Sequence, residues 1–119
     1  MPPNKIYAFL LTGDLVAAEA WYTKFFGRGP DNRPMKTLVQ WEISEQVGVG
    51  ISNDDQIAST GALFVIINDM EAERRRLQSA GIALGDDFPG DYSTLAQLRD
   101  PDGNLITLAT PPMPNYPPA

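Results

Sequence analysis

A chain of 119 residues, 43% of them hydrophobic, has enough material for one domain whose core forms without staples. With no cysteine and no histidine, it has no disulfide, no cysteine-rich zinc site, and neither the usual transition-metal ligand nor the usual general base near neutral pH. A formal charge of −6 repels phosphate backbones and anionic membranes, which argues against nucleic-acid and membrane partners. The longest strongly apolar run, residues 62–67, is far too short to span a bilayer, and residues 1–5 lack the apolar stretch of a signal peptide, so the expected compartment is the cytoplasm. Any catalysis would have to run on carboxylates, Tyr, Lys or a bound cofactor.

Ile6 to Leu11 is apolar and aromatic on both alternating faces and reads as a strand buried from both sides. Asp14 follows as an N-cap whose carboxylate accepts from the free amides of the first turn. Leu15, Ala18, Tyr22 and Phe25 then recur at helical spacing, and Gly27 supplies the stop. Residues 28–34, with two prolines and a glycine, read as a loop. Met35 to Ile43 alternates, with Val39, Trp41 and Ile43 on one face and Lys36, Gln40 and Glu42 on a wetter one. Val47 to Ser52 alternates again, its glycines on one side, where they leave room for a ligand, a neighbouring backbone or another strand. Residues 53–60 are polar and read as a linker.

The second half repeats the first. Gly61 to Ile67 reads as another strand buried on both faces, and Asp69 caps a helix that ends near Gly81, with Glu71 and Arg75 at i,i+4. Arg74, Arg75 and Arg76 fan over most of a turn and read as a solvated face. The two capping aspartates lie 55 residues apart and the two closing glycines 54, so the copies keep register as an internal duplication. Residues 82–91 hold a short strand and an acidic loop. In Asp100-Pro101-Asp102-Gly103, Pro presets φ and Gly permits a left-handed residue, which predicts a tight hairpin between Tyr92–Arg99 and Asn104–Ala109. Pairing Asp100 with Asn104 sets Gln97 opposite Thr107 and Leu98 opposite Ile106. Leu98, Ile106 and Leu108 then form an apolar face under the helices, while Leu95, Gln97, Arg99, Leu105 and Thr107 look into whatever the sheet encloses. Residues 111–119, with five prolines, read as a semi-extended arm able to lie against a partner subunit.

Strand, helix and three strands, repeated and closed by Asp100-Pro101-Asp102-Gly103-Asn104-Leu105-Ile106, with Trp21-Tyr22 and Phe26-Gly27 in the first helix, resembles the vicinal oxygen chelate superfamily. That group includes glyoxalase I, bleomycin-resistance proteins and extradiol dioxygenases. The resemblance covers residues 5 to 110 and implies a single α+β domain. Its two βαβββ modules, about 5–55 and 61–110, would form an open barrel-like sheet around a cavity, with 111–119 as a tail and a homodimer as the common assembly. Carried over by spacing, the superfamily's metal positions fall on Tyr7, Ala62, Thr107 and near Gly50 or Ser52. These are no competent ligand set, so the resemblance here implies neither metal nor cofactor.

The same carry-over lines the cavity with Tyr7, Phe9, Leu38, Gln40, Phe64, Ile66, Gln97, Arg99 and Thr107, and with Trp41 if the alternation slips by one. An apolar, aromatic lining with a few polar groups is the makeup of a small-molecule site. The expected function is therefore metal-independent sequestration of an aromatic or cationic organic ligand, as in the bleomycin-resistance branch, with no catalytic residue assigned. One alternative is a metal-dependent lyase or dioxygenase using Glu42, Asp86 or Asp87 as atypical ligands. Another is a dimeric interaction module with a filled barrel.

Overall fold

The computed structural model of the chain describes residues 1–115, 117 and 118; residues 116 and 119 of the expected arm lie outside the described residues. Its elements are β1 (Ile6–Leu11), α1 (Leu15–Phe26), β2 (Asn32–Met35), β3 (Leu38–Glu42), β4 (Val47–Ser52), β5 (Ala62–Ile66), α2 (Met70–Ser79), β6 (Phe88–Pro89), β7 (Thr94–Arg99) and β8 (Leu105–Ala109). They form two open four-stranded sheets, in the orders β1-β4-β3-β2 and β5-β8-β7-β6. In each sheet the first and last strands of the module pair in parallel and the remaining pairs are antiparallel. This is an α+β fold of two βαβββ modules. The chain divides into two compact units, Met1–Gly61 with Asp100–Asn104, and Ala62–Arg99 with Leu105 onward.

In unit 1, Asp14 caps α1 as its sequence position predicts, accepting from the Ala17 amide at 3.1 Å, and Gly27, at φ 79°, takes the left-handed turn that ends the helix. Helix α1 buries Ala18, Tyr22 and Phe25. The Tyr22 and Phe26 rings pack on Trp41 of β3 at centroid distances of 6.1 and 5.3 Å. The Trp41 indole N–H donates to the Arg28 carbonyl at 2.9 Å, so this fully buried ring leaves no donor unpaired. The expected loop over 28–34 and single strand over 35–43 are both corrected. Strand β2 starts inside the loop, and Lys36-Thr37 turns the chain into β3. Pro34 is tolerated because β2 is an edge strand whose pairing with β3 shifts register between Asn32 and Met35.

In unit 2, Asp69 caps α2 by accepting from the Ala72 amide at 3.0 Å, and Gly81, at φ 79°, turns the chain out of it. Arg74 is not on a solvated face. Its guanidinium donates to the Leu84 and Gly85 carbonyls at 3.0 and 2.9 Å and pairs with Asp87, fastening the acidic loop to the helix. Glu73 and Arg76 also form an ion pair. The hairpin has the predicted register, Gln97 opposite Thr107 and Leu98 opposite Ile106, with Gly103 at φ 88°. Leu77, Ala96, Leu98, Ile106 and Leu108 make the core of this unit.

Burial of β1 and β5 from both sides is not observed. Ile6 is 60% exposed, and Phe64 and Ile66 are 63% and 58% exposed. Both are edge strands of their sheets, β1 meeting only a bridge to Ser59 on its open side, and the single helix of each module does not close both faces of its sheet.

Candidate functional site

The parallel pairing of β1 with β4 sets Tyr7 beside Gly48 and Phe9 beside Gly50, and β3 sets Gln40 opposite Gly50, Glu42 opposite Gly48 and Leu38 opposite Ser52. Strand alternation therefore puts Tyr7, Phe9, Leu38, Gln40 and Glu42 on one face. Trp41 and Val39 take the other face, where Trp41 meets α1, so Trp41 is not among the residues this face brings together. The two rings lie across the glycines: a Cβ at Gly48 would collide with the Tyr7 ring, and one at Gly50 with the Phe9 ring. Glycine on β4 is required by the rings of the neighbouring strand, which take up the room the sequence left open. The rings are 6.0 Å apart and tilted by 47°. With Asp55, Gln56, Ile57, Ala58 and Ser59 they bound a cleft of about 400 Å³.

Glu42 is the polar pole of this face. Its Oε1 accepts from the Tyr7 hydroxyl at 2.7 Å and from the Asn32 side-chain amide at 2.9 Å, and its Oε2 pairs with the Lys5 ammonium. That ammonium also stands 5.0 Å from the centroid of the Tyr7 ring. Lys5, then Tyr7 and Asn32, hold the Glu42 carboxyl down at about 2, and Glu42 in turn raises Lys5. Behind it, Asp31 accepts from the Glu42 amide at 2.6 Å while Arg28 bridges Asp31 and the Glu42 carbonyl, each at 2.6 Å. These bonds fix the strand backbone that carries the carboxylate.

On the second sheet, Phe64 lies beside Thr107 and Gln97 opposite it, with Arg99 opposite Leu105. Phe64, Gln97 and Arg99 are exposed, while Thr107 is 8% exposed and accepts from the Gln97 amide at 3.1 Å. The residues named from sequence thus fall into two sets, one per sheet: Tyr7, Phe9, Leu38 and Gln40, and Phe64, Ile66, Gln97, Arg99 and Thr107.

The positions that would hold a divalent metal do not fit one. The Tyr7 hydroxyl is committed to Glu42, Gly50 and Ala62 offer no side-chain donor, and Ser52 and Thr107 are neutral hydroxyls. Of the atypical candidates, Glu42 is paired with Lys5 and Asp87 with Arg74. Among the described residues, no three His, Cys, Asp or Glu gather where they could hold an ion.

The Asp100–Asn104 turn proves to be structural rather than part of a site. Asp100, 5% exposed, accepts from the Tyr22 hydroxyl at 2.6 Å, the Asn104 side-chain and main-chain amides at 2.8 and 2.9 Å, and the Asp102 amide at 2.9 Å. Asn104 Oδ1 accepts from the Gly61 amide at 2.8 Å, and Asp102 accepts from the Thr12 hydroxyl and the Gly13 amide at 2.6 and 2.9 Å. A buried carboxylate with this many donors is fully satisfied, and burial beside it pushes the Tyr22 phenol far up.

No protein-family profile and no curated protein matches the sequence. Solved structures do match the fold. A glyoxalase/bleomycin-resistance protein from Catenulispora acidiphila superposes with a TM-score of 0.79 at 24% identity, over 91% of this chain and 98% of that one. The chain has the glyoxalase/bleomycin-resistance fold. A lactoylglutathione lyase from Agrobacterium tumefaciens shares this fold at TM-score 0.75 and 20% identity, over 98% of this chain and 100% of its own. So does a bleomycin-binding protein complexed with bleomycin, at 0.69 and 20%, over 90% and 98%. The fold is the one that the duplicated element order and the closing hairpin imply. Since it carries a lyase in one neighbour and a binding protein in another, the choice between catalysis and binding rests on this chain's own residues.

Proposed function

We propose that this chain is a metal-independent binding protein for a small organic molecule, taken up on the ring-bearing face of unit 1. The observation that carries this reading is the pair of tilted rings, Tyr7 and Phe9, which bound an open cleft of about 400 Å³ while the Tyr7 hydroxyl donates to the Glu42 carboxylate. Aromatic faces with a few fixed polar groups suit a planar or cationic ligand, which gains from stacking and from charge. Glu42 is held too acidic to serve as a general base near neutral pH, and the donors at the metal positions do not fit a divalent ion, so binding is better supported than turnover. A cytoplasmic setting and a homodimer belong to the same proposal. Among the described residues no helix is long and apolar enough to cross a membrane.

The test is a thermal-shift screen of the metal-free protein against neutral and cationic aromatic compounds, followed by titration of the hits into wild type and Phe9→Ala. Stabilising hits that lose about tenfold in affinity in Phe9→Ala are expected. An unresponsive protein, or stoichiometric zinc, nickel, manganese or iron in the purified chain, would contradict the reading.

A further inference from the structure

The ammonium of Lys5 sits where the chemistry of the Tyr7 face would place a ligand's cation. It has the Tyr7 ring 5.0 Å away, centroid to nitrogen, and a carboxylate oxygen of Glu42 in contact. A ring face together with a carboxylate is a general recognition device for an alkylammonium group. The carboxylate is built in rather than loose: the Tyr7 hydroxyl and the Asn32 amide hold its other oxygen, and Arg28 and Asp31 hold its backbone. The segment that delivers the lysine is not built in. Strand β1 begins with the Ile6 amide on the Gln46 carbonyl at 2.8 Å, whereas Pro2 and Pro3 have no N–H with which to extend the ladder, and residues 1–4 are exposed. Lys5 is half-buried, and its ion pair is of the partly exposed kind that is individually weak.

We infer that Lys5 is an internal occupant of an ammonium subsite formed by the Tyr7 ring and Glu42, and that an organic cation enters this face by displacing it. The ligand class is an aromatic compound bearing a primary or quaternary ammonium. Its ring stacks on Phe9 in the cleft while its cation takes the place of the lysine, with Asp55 adding negative charge at the cleft wall. The inference rests on the reading of the Tyr7–Phe9 face as a ligand site. It adds that the chain's own cation competes for the site, so that affinity for cations is set by how readily Lys5 leaves.

The test compares 2-phenylethylammonium with its neutral counterpart 2-phenylethanol, titrated into wild type, Lys5→Met, Lys5→Gln and Glu42→Gln by NMR. Removing the resident cation should tighten ammonium binding roughly three- to tenfold in both Lys5 variants and leave the alcohol unchanged. The Asn32 side-chain amide signal should shift with the ammonium and not with the alcohol, and Glu42→Gln should erase the preference for the ammonium. Ammonium affinity unchanged in both Lys5 variants, or alcohol affinity raised by the same factor, overturns the displacement while leaving the ligand face standing. Binding of neither compound to any of the four proteins removes the ligand face and the inference with it.

Discussion

The two sheets have the same strand order and matching registers, yet several of their matched positions carry different chemistry. Tyr7 beside Gly48 in the first corresponds to Ala62 beside Leu105 in the second, and Phe9 beside Gly50 to Phe64 beside Thr107. Gln40 and Gln97 occupy equivalent places, whereas the Glu42 carboxylate corresponds to the Arg99 guanidinium. The difference is one of where side-chain bulk sits. Glycine on the inner strand lets the Tyr7 and Phe9 rings lie across the first sheet, while no glycine accommodates Phe64, whose ring stands 63% exposed. Duplication has kept the hydrogen-bond register, which depends on the backbone, and freed the face, which depends on side chains. Only the first face combines rings folded over glycines with a carboxylate fixed by three partners.

The matched turns differ as much as the faces, and there the largest effect is expected. Asp100→Ala leaves the Tyr22 hydroxyl and the Asn104 amides without their acceptor, and should cost about 3 kcal/mol or more in urea unfolding. The equivalent turn of the first module starts at Ile43, which is 50% exposed; Ser44→Ala beside it should change stability by less than about 0.5 kcal/mol. Equal costs at the two turns would break the comparison. Next in size is Gly50→Ala against its counterpart Thr107→Ala. The added methyl must push the Phe9 ring aside, for a loss of about 1–3 kcal/mol, while trimming Thr107 should cost about 1 kcal/mol or less.

The smallest expected effect is that of pH on Lys5 and Glu42. The Glu42 carboxyl is lowered from 4.5 to about 2, so its contribution is present above the unfolded value and is lost as pH falls from about 4.5 to about 2. Lys5 is raised above 10.5, so its contribution is complete below that value and is lost as pH climbs past it. Wild type should therefore exceed Lys5→Met in melting temperature at neutral pH, and the gap should close towards pH 2. A gap that persists there would assign it to packing of the lysine stem instead.

What the sequence made legible was local. Asp14 and Asp69 announce their helices because a cap acts within one turn, and Asp100 to Gly103 set the hairpin register because a turn of that chemistry admits few pairings. Strand β2 was hidden by Pro34, which signals a loop unless the strand is known to lie at an edge. The sequences of β1 and β5 suggest more burial than they have, because an apolar run does not reveal what covers it. Tyr7, Phe9, Leu38 and Gln40 could be placed on one face by alternation, which also put Trp41 on the other. Lys5 could not be placed, since nothing in residues 1–5 marks a partner 37 positions away. The role of Asp100 was likewise hidden, because its partner Tyr22 lies 78 positions off and the hairpin explains the motif without it. Glu42 shows in the sequence on the wetter side of its strand, two residues beyond Gln40, and so carries the signal for this face, although the only role its residue type suggested there was that of an atypical metal ligand.

Under the proposed function, the first sheet's ring face binds an organic ligand without metal. This is tested most directly by titrating 2-phenylethylammonium into chelator-treated protein while following the aromatic and side-chain amide NMR signals. Saturable shifts are expected at Tyr7, Phe9, Gln40 and Asn32, with the Trp41 indole unmoved on the far side of the sheet. Shifts that appear only after a divalent metal is restored, or that fall on Phe64 and Gln97 and spare Tyr7 and Phe9, would contradict it.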